Sequence, residues 1–195
     1  MKVNERNQCF DNVNYLFYNH CLEAIFSIFA NMYFINKKIY LDHEQLSKKV
    51  SEWKQNNDII VFTNGCFDIL HLGHVQYLKE AKMLGTKLIV AANSDDSVEK
   101  IKGKHRPIQN EEGRINLLAS LEYIDAVTIF NDETPYELIK LLIPNILVKG
   151  GDWKPEQIIG SDVVLQNGGK VLSLNFMEGY STTSIESKII ESYKK

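Results

Sequence analysis

A chain of 195 residues with 44% hydrophobic side chains can bury one substantial core, which argues against two full domains. Its net charge of −3 at pH 7 gives no footprint for a nucleic-acid partner, so any anion site must be local. Cys9, Cys21 and Cys66 show neither CxxC spacing nor a metal-ligand cluster and suggest reduced thiols in a cytoplasmic protein.

Residues 1–40 differ in character from the rest, being rich in Asn and aromatic side chains, and the run Leu22 to Ile35 is apolar except for Glu23, Ser27 and Asn31. A spanning helix needs about 20 predominantly apolar residues. Extending this run toward Tyr15 brings in Asn19 and His20, so no stable membrane insertion is expected, and no small-residue cleavage site marks a signal peptide. Two readings remain open for this N-terminal extension: an amphipathic helix packed on the domain or on another copy, or residues ahead of a later start such as Met32. The domain proper is expected over 41–195. It opens on a helix at 42–54, with Asp42 as cap, Gln45 reaching back, and Leu46, Val50 and Trp53 on one apolar face.

Ile59-Ile60-Val61-Phe62 is a continuous apolar run that suits a strand buried on both faces. Thr63-Asn64-Gly65 is expected to break it. From Gly73 onward Val75, Leu78, Ala81, Met83 and Leu84 recur at mostly helical spacing, with Gly85 at the capping position. A helix that starts at the carboxyl end of a parallel strand offers free N–H groups and a positive dipole end to an anion. His71 and His74 frame that start around Gly73, whose missing side chain lets a ligand approach. A lone histidine is more often structural, but a pair around a glycine at this position favours a functional role.

Lys87 to Ala92 reads as a second strand, ending in Asn93-Ser94-Asp95-Asp96, where helix capping and ligand contact fit the spacing equally. Lys102-Gly103-Lys104-His105-Arg106-Pro107 forms a basic loop ahead of a helix that runs through Arg114 to Leu121. It is either a solvated face or a set of cations for a polyphosphate. Ala126 to Phe130 reads as a third strand, Thr134 to Ile143 as a helix with Pro135 at its first position, and Ile146 to Val148 as a fourth strand. That strand runs into Lys149-Gly150-Gly151-Asp152. A helix over Gly160 to Asn167, a strand over Lys170 to Leu174 and a final helix opening at Ser181-Thr182-Thr183-Ser184 complete the chain. Capping needs only one of those hydroxyls. The whole predicts an α/β fold, a Rossmann-like doubly wound sheet of about five parallel strands with flanking helices.

The stretch Thr63-Asn64-Gly65-Cys66-Phe67-Asp68-Ile69-Leu70-His71-Leu72-Gly73-His74 resembles the signature of the cytidylyltransferase-like nucleotidyltransferases. The chain from about Ile59 to Ile190 is most similar to their heptose-activating adenylyltransferases, which join AMP to a heptose 1-phosphate for lipopolysaccharide core synthesis. That resemblance implies catalytic roles for His71, His74, Lys102 and Arg106. It implies nucleotide binding by Thr63, Asn64, Gly65, Phe67, Gly73, Asn93, Asp95, Gly150, Asp152, Ser181, Thr182 and Thr183, and weaker substrate contacts from Asp68, Arg114 and Lys149. ATP and a sugar 1-phosphate would be the partners, with Mg2+ held mainly by the triphosphate, since no carboxylate cage is visible. A homo-oligomer and a separate heptose kinase are further expectations. Phe176 stands where glycerol-3-phosphate cytidylyltransferases typically carry arginine, which speaks against that acceptor. Three rivals stay open: another adenylyl- or cytidylyltransferase acting on phosphopantetheine or a polyol phosphate, a nucleotide-binding module without turnover, and a membrane-attached scaffold.

Overall fold

The computed structural model describes residues 37–194. The apolar run of the extension, Cys9 and Cys21 lie outside the described residues. Helix α1 spans His43–Gln55, and Asp42 caps it by accepting from the N–H groups of Glu44 and Gln45. The return bond expected from the Gln45 side chain is not among the hydrogen bonds of the described residues. Leu46, Val50 and Trp53 are buried as the spacing predicts.

The sheet contains β1 (Ile60–Gly65), β2 (Lys87–Asn93), β3 (Ala126–Phe130), β4 (Ile146–Gly150) and β5 (Lys170–Leu174), in the order β3-β2-β1-β4-β5. Every pairing is parallel. Joining them are α2 (Leu72–Met83), α3 (Asp95–Lys102), α4 (Glu111–Ala119), α5 (Tyr136–Leu142), a 3-10 turn at Pro155–Gln157 and α6 (Ser161–Gln166), and α7 (Thr182–Tyr193) follows β5. This is the doubly wound fold read from the alternation of apolar runs.

Period-2 alternation divides the strand side chains between two layers. Ile60, Phe62, Ile89, Ala91 and Ala126 meet α1, α5 and α6 in a cluster with Leu46, Trp53, Ile139, Leu142 and Val164. Thr63 points to the other layer, where α2 supplies Tyr77. Residues 38–40, which the sequence reading assigns to the extension, add to the sheet instead: Ile39 bridges Val127, and Tyr40 donates its N–H to the Val127 carbonyl at 2.9 Å.

Three boundaries differ from expectation for identifiable reasons. Strand β1 does not break at Thr63 but continues to Gly65, because Thr63, Asn64 and Gly65 pair with Val90, Ala91 and Ala92. The buried Thr63 hydroxyl is satisfied by the Tyr77 hydroxyl at 2.6 Å, so polarity does not end the strand. Helix α3, for which the sequence reading offers a cap but no helix range, forms because the Ser94 side chain accepts from the Ser97 N–H and Val98 is buried. Gly85 follows the α2 cap at Leu84 without a left-handed conformation. Its requirement is space, since a Cβ there would lie 2.6 Å from the Ile59 carbonyl oxygen and 2.6 Å from Val61 Cγ2.

Candidate active site

The strand order reverses direction between β1 and β4: from β1 the chain adds β2 and β3 on one side, then crosses to β4 and β5 on the other. In open α/β sheets ligands bind at the carboxyl ends of the strands beside such a reversal. Asn64 and Gly65 end β1 there, and Lys149 and Gly150 end β4.

Helix α2 starts at Leu72 rather than Gly73, because His71 itself is the N-cap and its Nδ1 accepts from the His74 N–H at 3.3 Å. That bond leaves the His71 ring proton on Nε2 in the neutral form, free to donate outward. The two imidazoles stack with centroids 3.8 Å apart and 20° between planes, and Phe67 sets its ring edgewise on His74 at 5.2 Å. Burial, with help from the charge His71 would carry, pushes the His74 pKa down to about 4, against a backbone hydrogen bond at Ile69. Burial also lowers the pKa of His71. At neutral pH the pair is therefore uncharged, a pair of hydrogen-bonding groups rather than of cations. His74 Nδ1 is buried without a partner among the described residues, a polar atom for which a ligand is the natural complement. Gly73 is needed for closeness: a Cβ would sit 3.1 Å from the His71 ring and 3.1 Å from Tyr180 Cβ.

That last contact brings the loop before α7 against the start of α2. Ser181 caps α7 in a reciprocal box, accepting from the Ser184 N–H at 3.0 Å while Ser184 Oγ accepts from the Ser181 N–H at 3.2 Å. The capping hydroxyls are thus Ser181 and Ser184. Thr182 and Thr183 form no side-chain hydrogen bond among the described residues.

The basic loop and the acidic residues around it are mostly consumed by one another. Asp68 is buried, accepting from the N–H groups of Ile108 at 2.7 Å and Gln109 at 2.9 Å and from Arg106 Nη1 at 2.6 Å. Arg106 also pairs with Glu186 on α7, a partner invisible in the linear sequence because 80 positions separate the two. Arg114 is a scaffold residue and not a substrate contact. Its side chain has 0% exposure, Nε donates to the Gln109 carbonyl, Nη1 to the Cys66 carbonyl at 2.6 Å, and Nη2 to Asp95 at 2.8 Å. Asp95 is therefore held by Arg114, and Asn93 Nδ2 by Ser97 Oγ at 3.0 Å. Lys102 ends α3 exposed, near enough to Cys66 to act on its thiol. Gln109 Oε1, not singled out in the sequence, is a second buried atom without a partner among the described residues.

At the end of β4 the paired glycines make room for an aromatic roof. A Cβ on Gly150 would lie 2.6 Å from the Phe176 ring, and Gly151, at φ +109°, would clash with the same ring at 2.9 Å. Asp152 is exposed beyond it. Lys149 turns inward to donate to Asn64 Oδ1 at 3.2 Å. The structure thus gathers His71, His74, Phe67 and Gly73 with the α7 cap, and Asn64 with Lys149. Thr63, Asp68, Asn93 and Arg114 are buried with protein partners, and Asp95, its side chain 37% exposed, pairs with Arg114.

Among the described residues no group of three His, Cys, Asp or Glu forms a metal cage. No described helix is long and apolar enough to cross a membrane.

Comparison with known proteins places these features in a lineage. The cytidylyltransferase-like family matches residues 62–188, which runs from β1 into α7. The bifunctional protein HldE of Actinobacillus pleuropneumoniae is 51% identical over 149 residues, covering 76% of this chain and 31% of the relative. Its namesake in Coxiella burnetii is 49% identical over 150 residues, covering 77% and 32%. The chain thus spans about a third of the length of these curated relatives. The crystal structure of the lipopolysaccharide core biosynthesis protein from Thermoplasma volcanium is 30% identical with a TM-score of 0.50, covering 64% of this chain and 99% of that one. A match that begins in the central strand, takes in the histidine pair and ends in the helix capped by Ser181 spans every wall of the site, and the chain belongs to the cytidylyltransferase-like family.

Proposed function

We propose that this chain is a cytoplasmic nucleotidyltransferase that moves AMP from ATP to heptose 1-phosphate, giving ADP-heptose and pyrophosphate for lipopolysaccharide core synthesis. The carrying observation is the uncharged, stacked His71–His74 pair at the start of α2, beside the reversal of strand order. Family membership supports the reaction class, and the HldE relatives and the Thermoplasma protein support the sugar branch.

In this reading a phosphate oxygen of the sugar 1-phosphate attacks the α-phosphorus of ATP in line. The bond from that phosphorus to the bridging oxygen breaks, and the electron pair leaves with pyrophosphate. No protein nucleophile is required. The chemistry needs positioning and stabilisation of negative charge as it moves to the leaving oxygen. Neutral His71, with its ring proton on Nε2, donates an N–H bond to a phosphate oxygen, while the stacked His74 ring holds it in place. The N-termini of α2 and α7, brought together by Tyr180 at Gly73, hold the rest of the polyphosphate. Lys102 supplies a mobile cation at the rim. Arg106, tied to Asp68 and Glu186, positions the wall around it. Magnesium enters as the counter-ion of the ATP substrate, since the donors gathered here are nitrogens and hydroxyls. The sugar 1-phosphate comes from a kinase step, and the enzyme works as a homo-oligomer.

The test is pyrophosphate release by the purified chain with magnesium, offering ATP or CTP against heptose 1-phosphate, glycerol 3-phosphate and phosphopantetheine. Release confined to ATP with heptose 1-phosphate is the expected result, and His74→Ala should lower it about 100- to 1000-fold while leaving the fold intact. Release with a different pair would replace the substrate, and nucleotide binding without release would overturn the assignment as an enzyme.

A further inference from the structure

Lys149 is a cation without a counter-charge in a half-buried place. It stands at the carboxyl end of β4 and crosses the reversal of strand order to β1, where its Nζ lies 3.2 Å from Asn64 Oδ1 and 3.5 Å from the Asn64 carbonyl oxygen. Both partners are neutral, and Lys149 forms no ion pair among the described residues. Among the described residues the acidic group that acts on it is the Cys66 thiol, which is kept protonated because burial raises its pKa, so it does not neutralise the lysine. Desolvation also lowers the pKa of Lys149 itself.

A buried ammonium with only amide oxygens for company is unfavourable in the empty protein, and an arriving anion repays the cost. The other basic groups differ. Arg106 and Arg114 are already matched with carboxylates, and Lys102 is exposed. The phosphates that reach helices α2 and α7 lie at the helix starts, whereas Lys149 lies at the strand ends, on the crevice itself. One phosphoryl group must occupy that crevice while its neighbours extend toward the helices.

We infer that Lys149 is the cation that grips the phosphoryl group being transferred, moving to it from its resting place on Asn64. This rests on the nucleotidyltransfer reading and adds the residue that holds the reacting group. The lysine therefore touches the acceptor's target rather than the sugar, and Asn64 serves as its resting partner and keeps it aimed.

Lys149→Met preserves length and removes the charge. Two measurements on the full chain separate the possibilities: the melting-temperature rise caused by α,β-methylene-ATP, and pyrophosphate release from ATP with heptose 1-phosphate. The variant is expected to melt at or above the wild-type temperature, because a poorly solvated charge has gone. It should bind the analogue about 10- to 100-fold more weakly, in line with one charge-assisted hydrogen bond, and its turnover should fall about 100- to 1000-fold. A variant that melts well below wild type would make Lys149 a structural residue and overturn the inference, as would unchanged analogue binding and turnover. If wild type binds the analogue and the variant does not, yet wild type releases no pyrophosphate, the lysine site stands and nucleotidyl transfer fails. If neither protein binds the analogue, both fail.

Discussion

Lowering the pH should cost this protein stability through His74, by an amount that follows from its surroundings. The imidazole has a folded pKa of about 4 because it is buried against Phe67 and stacked on His71. In the unfolded chain the same group titrates near about 6.5. This is a base with a lowered folded pKa, so between those two values the unfolded chain carries a proton that the folded chain refuses. The stabilisation is complete above the unfolded pKa and is lost as pH falls through it, with the loss levelling off below about pH 4. Each pH unit across that window is worth about 1.4 kcal/mol for one proton, so the full loss approaches about 3 kcal/mol. Urea unfolding of wild type and His74→Gln across pH 4.5 to 7.5 would measure it. The wild-type curve should fall more steeply with acid, and the difference between the two isolates His74 from the carboxylates and from His71. NMR titration of the His74 ring gives the same quantity directly. Parallel stability curves, or a ring midpoint near that of an exposed histidine, would refute the burial argument for His74.

Replacing Arg114 with leucine should destabilise the fold by about 3–5 kcal/mol, because the buried carbonyls of Cys66 and Gln109 and the Asp95 carboxylate lose their shared donor; a loss under about 1 kcal/mol in urea unfolding would show the network to be dispensable. Arg106→Gln should leave the sheet intact but detach α7, read as faster amide hydrogen exchange over 182–193 with unchanged protection in β1 and β2. Equal exchange in α7 would show that Glu186 and Arg106 do not hold the helix in place.

Much of this architecture was legible because the signals were local. Strands β3 and β5 fall at the residues where β-branched and aliphatic side chains cluster, and the caps at Asp42, Ser94 and Ser181 follow from side-chain oxygens ahead of a helix. The histidine pair was legible as a motif, and its stacking and loss of basicity depend on packing against Phe67. Residues that act through distant partners were read less well. Arg114 and Asp68 enter the sequence reading as substrate contacts through the family resemblance, and their partners lie as many as 48 positions away. Thr63 looks like a strand breaker until Tyr77 comes within reach of its hydroxyl. Glu186 carried no signal, since its role depends on where α7 lands.

The short pairing of Lys38 to Tyr40 with β3 also bears on how the domain could be trimmed. A strand at the rim of a sheet exposes backbone groups that invite pairing with another chain. Here the Val127 N–H is taken by the Lys38 carbonyl at 2.7 Å and the Val127 carbonyl by Tyr40. A version cut just before residue 38 keeps that rim covered, whereas one cut at 41 uncovers it and leaves β3 open to self-association. Three residues without catalytic chemistry thus set where a minimal domain with a covered sheet rim can begin.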